Sequence, residues 1–134
     1  MDETATTHAL ADMPRLLLRF EGLALFILAT WAFSYTGTSW WLYAALFFSP
    51  DLSFAGYLAG PRLGAWAYNA LHSTLGPALF AGLGLFLDHS MLLGIAAIWA
   101  AHIGFDRMLG YGLKYTSGFN DTHLGRIGRQ AAGA

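Results

Sequence analysis

The chain has 134 residues, of which 56% are hydrophobic and only 11% charged, with a formal net charge of −1 and no cysteine. Ordinary soluble domains carry roughly 25% charged residues, so this composition is that of one integral membrane domain. A net charge of −1 gives no case for nucleic-acid binding, which needs a basic face, and the absence of cysteine excludes disulfides and thiolate metal sites.

Met1 to Pro14 reads as a short flexible tail that includes His8. Asp2, Glu3 and Asp12 stand where a cleaved signal would carry basic residues. A helix needs about 20 largely apolar residues to cross the hydrocarbon core. Four stretches meet that length: Leu16 to Tyr35, Ser39 to Leu58, Leu63 to Leu87 and Ser90 to Leu109. The connections between them are only a few residues long, which predicts antiparallel neighbours. The fold expected is therefore all-α: an integral membrane four-helix up-down bundle over residues 15–110, followed by a short ordered cytoplasmic tail over 111–134. Pro50 and Pro77 interrupt the second and third spans, and Ser49-Pro50-Asp51 resembles an N-cap with proline at the first helical position. A broken helix at membrane depth is tolerated where it is buried or lines a cavity.

Orientation follows from the cationic flanks. Arg15, Arg19, Arg62, Arg107, Lys114, Arg126 and Arg129, all seven of the Lys and Arg, fall on the side that holds both termini and the middle loop. Both termini are expected in the cytoplasm. Trp40, Trp41 and Tyr43 mark the outer interface.

Six polar side chains lie inside these spans: Glu21, Asp51, Asn69, His72, His102 and Asp106. At 1.5 Å per residue all six lie roughly 5 to 14 Å from the cytoplasmic ends of their helices. Ionisable groups in a bilayer are costly and face a bundle interior, a watery cavity or each other. His102 and Asp106 are spaced i,i+4, and Asn69, His72 and Ser73 share a face of the third span. Two ligands on one helix with a third from an antiparallel neighbour can build a metal site in a bundle. Two imidazoles with two or three carboxylates suit Zn²⁺, Mn²⁺ or Fe²⁺.

The expected ligands are Asp51, His72, His102 and Asp106. Glu21 or Asp51 is expected as general base, and Asn69 as an orienting group. Arg62 and Lys114 are placed to bind an anionic headgroup, and His123 lies nearby in the tail. Tyr111, Tyr115 and Phe119 suggest a loop folded over the cytoplasmic mouth. Other readings stand beside this one. The His and Asp side chains can simply hydrogen-bond one another as interhelical glue, with Glu21 paired to Arg19 or Arg62 and Asp106 to Arg107 or Lys114. His72 and His102 can also be read as axial haem ligands.

Several elements carry a resemblance: Pro50-Asp51-Leu52-Ser53, Gly56-Tyr57-Leu58-Ala59-Gly60-Pro61-Arg62, Tyr68-Asn69-Ala70-Leu71-His72, His102-Ile103-Gly104-Phe105-Asp106-Arg107, Gly110-Tyr111-Gly112-Leu113-Lys114-Tyr115 and Phe119-Asn120-Asp121-Thr122-His123-Leu124-Gly125. From about Leu16 to Gly128 the chain resembles a family of small four-helix bacterial membrane proteins known as a domain of unknown function. The resemblance implies the fold and a bacterial inner-membrane location, and no activity. The order Pro50-Asp51, His72-Ser73, His102 and Asp106 is also similar to bacterial inner-membrane-associated metal-dependent hydrolases. Ser53 stands where that family has a second Asp, and Ala70-Leu71 precede His72 where it has Arg or Thr. This similarity implies the same four ligands. The function expected is divalent-metal-dependent hydrolysis of a lipid or phosphoester in the bilayer. The alternative is a small transporter or assembly factor that uses the cluster for helix packing or proton transfer.

Overall fold

A computed structural model describes residues 3–114 and 121–126, with the side chains of 3–11, 121, 125 and 126 left aside. Among the described residues the regular elements are helices, apart from a two-residue strand pair and one isolated bridge between Lys114 and Thr122. Helix α1 spans Glu3–Ser34, α2 Trp40–Leu46, α3 Pro61–His72, α4 Leu75–Phe86 and α5 Ser90–Leu109. A 3-10 helix, Ser49–Ala59, joins α2 to α3. Strands β1 (Asp121–Thr122) and β2 (Gly125–Arg126) pair antiparallel in the tail.

The stretch expected as a flexible tail is helical from Glu3. Ala5, Ala9, Leu10, Ala11 and Met13 are good helix formers, and Pro14 is accommodated inside the helix. The helix Asp12–Ser34 within α1, and α5, are long and apolar enough to cross a membrane. The second and third expected spans are not continuous, and each splits into two shorter helices.

Proline explains both breaks, because it lacks the N–H that closes the i→i−4 bond and its ring crowds that carbonyl. Pro50 leaves the Leu46 carbonyl without its helical donor, and Ser49 Oγ donates to it instead at 2.7 Å. The chain then tightens into the 3-10 helix, where Asp51 N–H donates to the Phe48 carbonyl at 3.0 Å. Pro77 sits in the first turn of α4, and the break it causes lies four residues upstream, at Ser73, whose ψ is 152°.

Two packing units result. Helices α1 and α4 pack along α5, with α2 touching it lightly, while the 3-10 helix packs on α3 as a hairpin. Ala29, Phe33, Phe47, Ile98 and Ala101 form the core of the first unit. The α1–α5 crossing depends on missing side chains: a Cβ on Gly104 would stand 2.5 Å from Phe26 N and 2.7 Å from the Gly22 carbonyl oxygen. That approach lets the backbones touch and sets the height at which α5 presents its polar residues. Large apolar side chains face outward, among them Leu58 at 93%, Trp41 at 85% and Phe86 at 85% exposed.

Candidate metal centre

The two helix breaks fall at one level, and the polar residues gather there. Asp51 comes from the first turn of the 3-10 helix, His72 is the last residue of α3, and His102 and Asp106 lie one turn apart on α5. His102 is about 18 Å along α5 from Ser90. The site thus joins the hairpin to the α1–α5 body.

The four donor atoms lie within 4.8 Å of one another. His72 Nε2 is 3.2 Å from Asp51 Oδ1, 3.2 Å from His102 Nε2 and 3.4 Å from Asp106 Oδ2. His102 Nε2 is 3.2 Å from Asp51 Oδ1 and 3.3 Å from Asp106 Oδ2. A tetrahedral ion with ligand bonds of about 2.0–2.1 Å has edges of roughly 3.3–3.4 Å. Five of the six edges therefore match such an ion within a few tenths of an ångström.

The hydrogen positions allow either a cation or added protons at the centre of the cluster. His72 Nδ1 is 2.8 Å from the Tyr68 carbonyl, and a carbonyl only accepts, so Nδ1 carries a hydrogen and donates it. With Nδ1 so occupied, His72 turns Nε2 toward two carboxylate oxygens and a second imidazole. Four donor atoms this close are compatible only with a cation or with protons between them. A divalent cation also cancels the two carboxylate charges, which lowers the cost of burying them. The Nδ1–H to carbonyl bond is the arrangement that orients histidine ligands at metals. His102 has no such support: its Nδ1 is buried without a hydrogen-bond partner among the described residues, beside the rings of Phe47 and Phe48.

His72 and His102 are fully enclosed, Asp106 is buried, and the Asp51 side chain is 33% exposed. Access to the cluster is therefore from the Asp51 side. A haem does not fit here: the two Nε2 atoms converge to 3.2 Å with carboxylates beside them, and no macrocycle can be interposed.

Further residues hold the ligands, and sequence reasoning did not assign them this role. The Tyr68 ring stacks parallel on His72, with centroids 3.7 Å apart and planes 8° apart. Lys114 Nζ lies 4.9 Å above the Tyr68 ring centroid. Arg107 donates to the His72 carbonyl and to the Tyr111 carbonyl, both at 3.0 Å. Gly110, with φ +91°, closes α5, and Tyr111 N–H donates to the Asp106 carbonyl at 2.8 Å. This 6→1 closure is a Schellman motif, which needs a left-handed residue at the glycine. The i,i+4 spacing of Tyr68 and His72 was the available signal for the stack.

The remaining expected residues lie outside the four-donor cluster. Glu21 is exposed and forms no ion pair among the described residues. The face of α1 turned to α5 runs through Gly22, Phe26, Ala29 and Phe33, and Glu21 is one residue, about 100° of helix, off it. Arg19, a candidate partner for Glu21, instead donates Nε–H to the Met108 carbonyl at 2.9 Å. Asn69 orients no ligand. It clamps the tail, donating to the Lys114 carbonyl at 2.7 Å and accepting from Lys114 N–H at 2.6 Å.

Lys114 is 4% exposed, turned onto Tyr68 rather than outward. Burial pulls its pKa down to about 8, against the raising effect of the Asp106 carboxylate. Arg62 is exposed at the tip of the hairpin. His123 is exposed in the tail and accepts the Leu113 N–H at 2.8 Å. Its pKa is lowered by desolvation and by the Arg107 charge. Tyr115 and Phe119, expected in the cap, lie outside the described residues, as do residues 127–134.

No curated protein and no solved structure matches the chain, so the similarity to metal-dependent hydrolases rests on the quoted residues alone. A family model does match, over residues 15–127. The chain belongs to the family described as Domain of unknown function (DUF4260).

Proposed function

We propose that this is a small multi-pass membrane protein whose Asp51, His72, His102 and Asp106 hold a divalent metal used to hydrolyse a lipid or phosphoester. The observation that carries the reading is the set of five donor separations of 3.2–3.4 Å around one ion-sized point. Such an ion supplies Lewis acidity and brings the pKa of a water it binds toward neutrality. His72, held by Tyr68, and His102 fix its position. Asp51, on the accessible side, is the carboxylate placed to take a proton from an attacking water. Four protein donors fill a tetrahedral shell. Turnover then requires either Mn²⁺ or Fe²⁺ with further positions or release of Asp51. Glu21, outside the cluster, has no part in this chemistry.

The bilayer setting is part of the same proposal. Two helices long and apolar enough to span, and an outward surface of Leu, Trp and Phe, support it. The distribution of Lys and Arg supports cytoplasmic termini, and the family resemblance supports a bacterial inner membrane. One observation favours a rival. Two discontinuous helices meeting at a polar site are also the construction of ion-coupled transporters, in which case the cluster carries a cation or protons.

The test is metal content of detergent-purified protein by inductively coupled plasma mass spectrometry, beside His102→Ala. About one Zn, Mn or Fe per chain, lost in the variant, is expected. No metal in the wild type, even after adding it back, would overturn the proposal.

A further inference from the structure

Asp51 differs from the other three ligands in the element that carries it. His72, His102 and Asp106 stand on α-helices, whereas Asp51 stands in the first turn of the 11-residue 3-10 helix Ser49–Ala59. A 3-10 helix has poorer hydrogen-bond geometry than an α-helix, runs beyond about four residues are uncommon, and such a stretch often marks a hinge. Asp51 is also the most exposed of the four donors, 33% against 13% for Asp106. The polar contacts of its carboxylate are to the two imidazoles.

The sequence of this segment supports two windings. In a 3-10 helix side chains at i and i+3 eclipse, and the inward face follows that period: Pro50 and Ser53 are buried, and Gly56 abuts α3. Ser53 Oγ donates to the Pro50 carbonyl at 2.7 Å, which ties the eclipsed pair. In an α-helix side chains at i and i+4 align, and that period aligns Phe48, Leu52 and Gly56. Phe48 and Leu52 are 62% and 76% exposed, so an apolar face for the α winding is present and unused. The C-terminal part of the segment is the fixed end. A Cβ on Gly56 would stand 2.8 Å from the Ala67 Cβ, and one on Gly64 would stand 2.3 Å from the Tyr57 ring. Each residue rewound from 3-10 to α shortens the segment by about 0.5 Å and turns it by about 20°. Over the steps from Gly56 back to Asp51 this comes to about 2.5 Å and about 100°, enough to take the carboxylate off the ion.

We propose that Asp51 is the exchangeable ligand, released when the 3-10 helix rewinds to an α-helix, and that a phosphoryl oxygen of the substrate takes its place on the ion. The inference rests on the metal-centre reading above and supplies the open position that four protein donors otherwise fill. One metal–oxygen bond, to Asp51, breaks, and one, to the phosphoryl oxygen, forms. The freed carboxylate is then available as the base. A phosphoryl ligand shifts the population because it binds the rewound state alone.

The chain has no cysteine, so Leu52→Cys with Trp66→Cys gives two unique, exposed label sites, one on the segment and one on α3. The test is the distance between nitroxides at these sites, by pulsed electron paramagnetic resonance, in the full chain loaded with Zn²⁺ in detergent. One distance is expected with Zn²⁺ alone. A second, displaced by several ångström, is expected to grow in as methylphosphonate is added. Ser53→Ala removes the hydroxyl that holds the Pro50 carbonyl, and should raise that second population about two- to tenfold at sub-saturating methylphosphonate. Zn²⁺ content is measured on every sample and on the unlabelled wild type. In protein that holds Zn²⁺, a distance that methylphosphonate leaves unchanged would overturn the exchange of Asp51, whether or not the phosphonate binds. A population that Ser53→Ala leaves unchanged would overturn the rewinding that produces it. Failure of the unlabelled wild type to hold Zn²⁺ would overturn both together with the metal-centre reading.

Discussion

Asn69→Ala separates a tail clamp from an orienting role at the metal. The substitution removes the two short hydrogen bonds, 2.7 and 2.6 Å, by which one carboxamide holds both backbone groups of Lys114. Each is worth about 0.5–1.5 kcal/mol net, so the pair contributes roughly 1–3 kcal/mol. At 1.4 kcal/mol per tenfold, the opening equilibrium of residues 110–114 should shift by roughly 5- to 150-fold. Amide hydrogen exchange read by mass spectrometry on a fragment covering 110–114 reports that shift directly. Asn69→Asp should be at least as damaging, because it sets a carboxylate oxygen against the Lys114 carbonyl. Asn69 touches none of the four donors, so metal content should hold at the wild-type level. Unchanged exchange at 110–114, or metal lost with the tail still protected, would refute the clamp.

Tyr68→Leu keeps the carbonyl that orients His72 but removes the ring stacked on it. Metal affinity in a chelator competition should fall about 10- to 100-fold, as for other outer-shell groups, with full occupancy regained at excess metal. Gly104→Ala puts a methyl group 2.5–3.0 Å from α1 backbone atoms, so overpacking of about 1–3 kcal/mol should exceed the helix-propensity gain of about 0.5–1 kcal/mol. Gly82→Ala, with nothing within 4 Å of the new methyl, should instead raise the melting temperature in detergent. Burial lowers the Lys114 pKa to about 8 from an ordinary 10.5. Between those values the unfolded chain holds a proton that the folded chain has lost, so this group's contribution makes stability rise with pH across that window. Subtracting the pH–stability profile of Lys114→Met from that of the wild type should leave that rise. A flat difference would show that the ammonium is not desolvated.

The helical class, the two membrane-length helices α1 and α5, and the four donors were legible in the sequence. Helical rise orders residues along each helix to within a turn, and ionisable groups inside apolar segments are the signal that singled out the four donors. Rotation about the axis was less legible, which is why Glu21 shared the depth of the site but not its face. Its neighbour Gly22 supplies the α5 contact instead. The proline positions announced breaks in the second and third spans, but not that both breaks would fall at one level. That depends on how α2 and α4 stop against α5.

Composition and spacing alone determined that this chain is helical, that two of its helices are long and apolar enough to cross a membrane, and that two imidazoles and two carboxylates stand at matching positions along their segments. Only the tertiary structure decided that these converge to ion-sized separations. It also decided that Tyr68 and Arg107 hold His72, and that Asn69 and Lys114 serve the tail. The physical reason is that depth is a one-dimensional property read along each helix. Convergence depends on the rotation and crossing of helices, set by contacts such as Gly104 on Phe26 that join residues far apart in the chain.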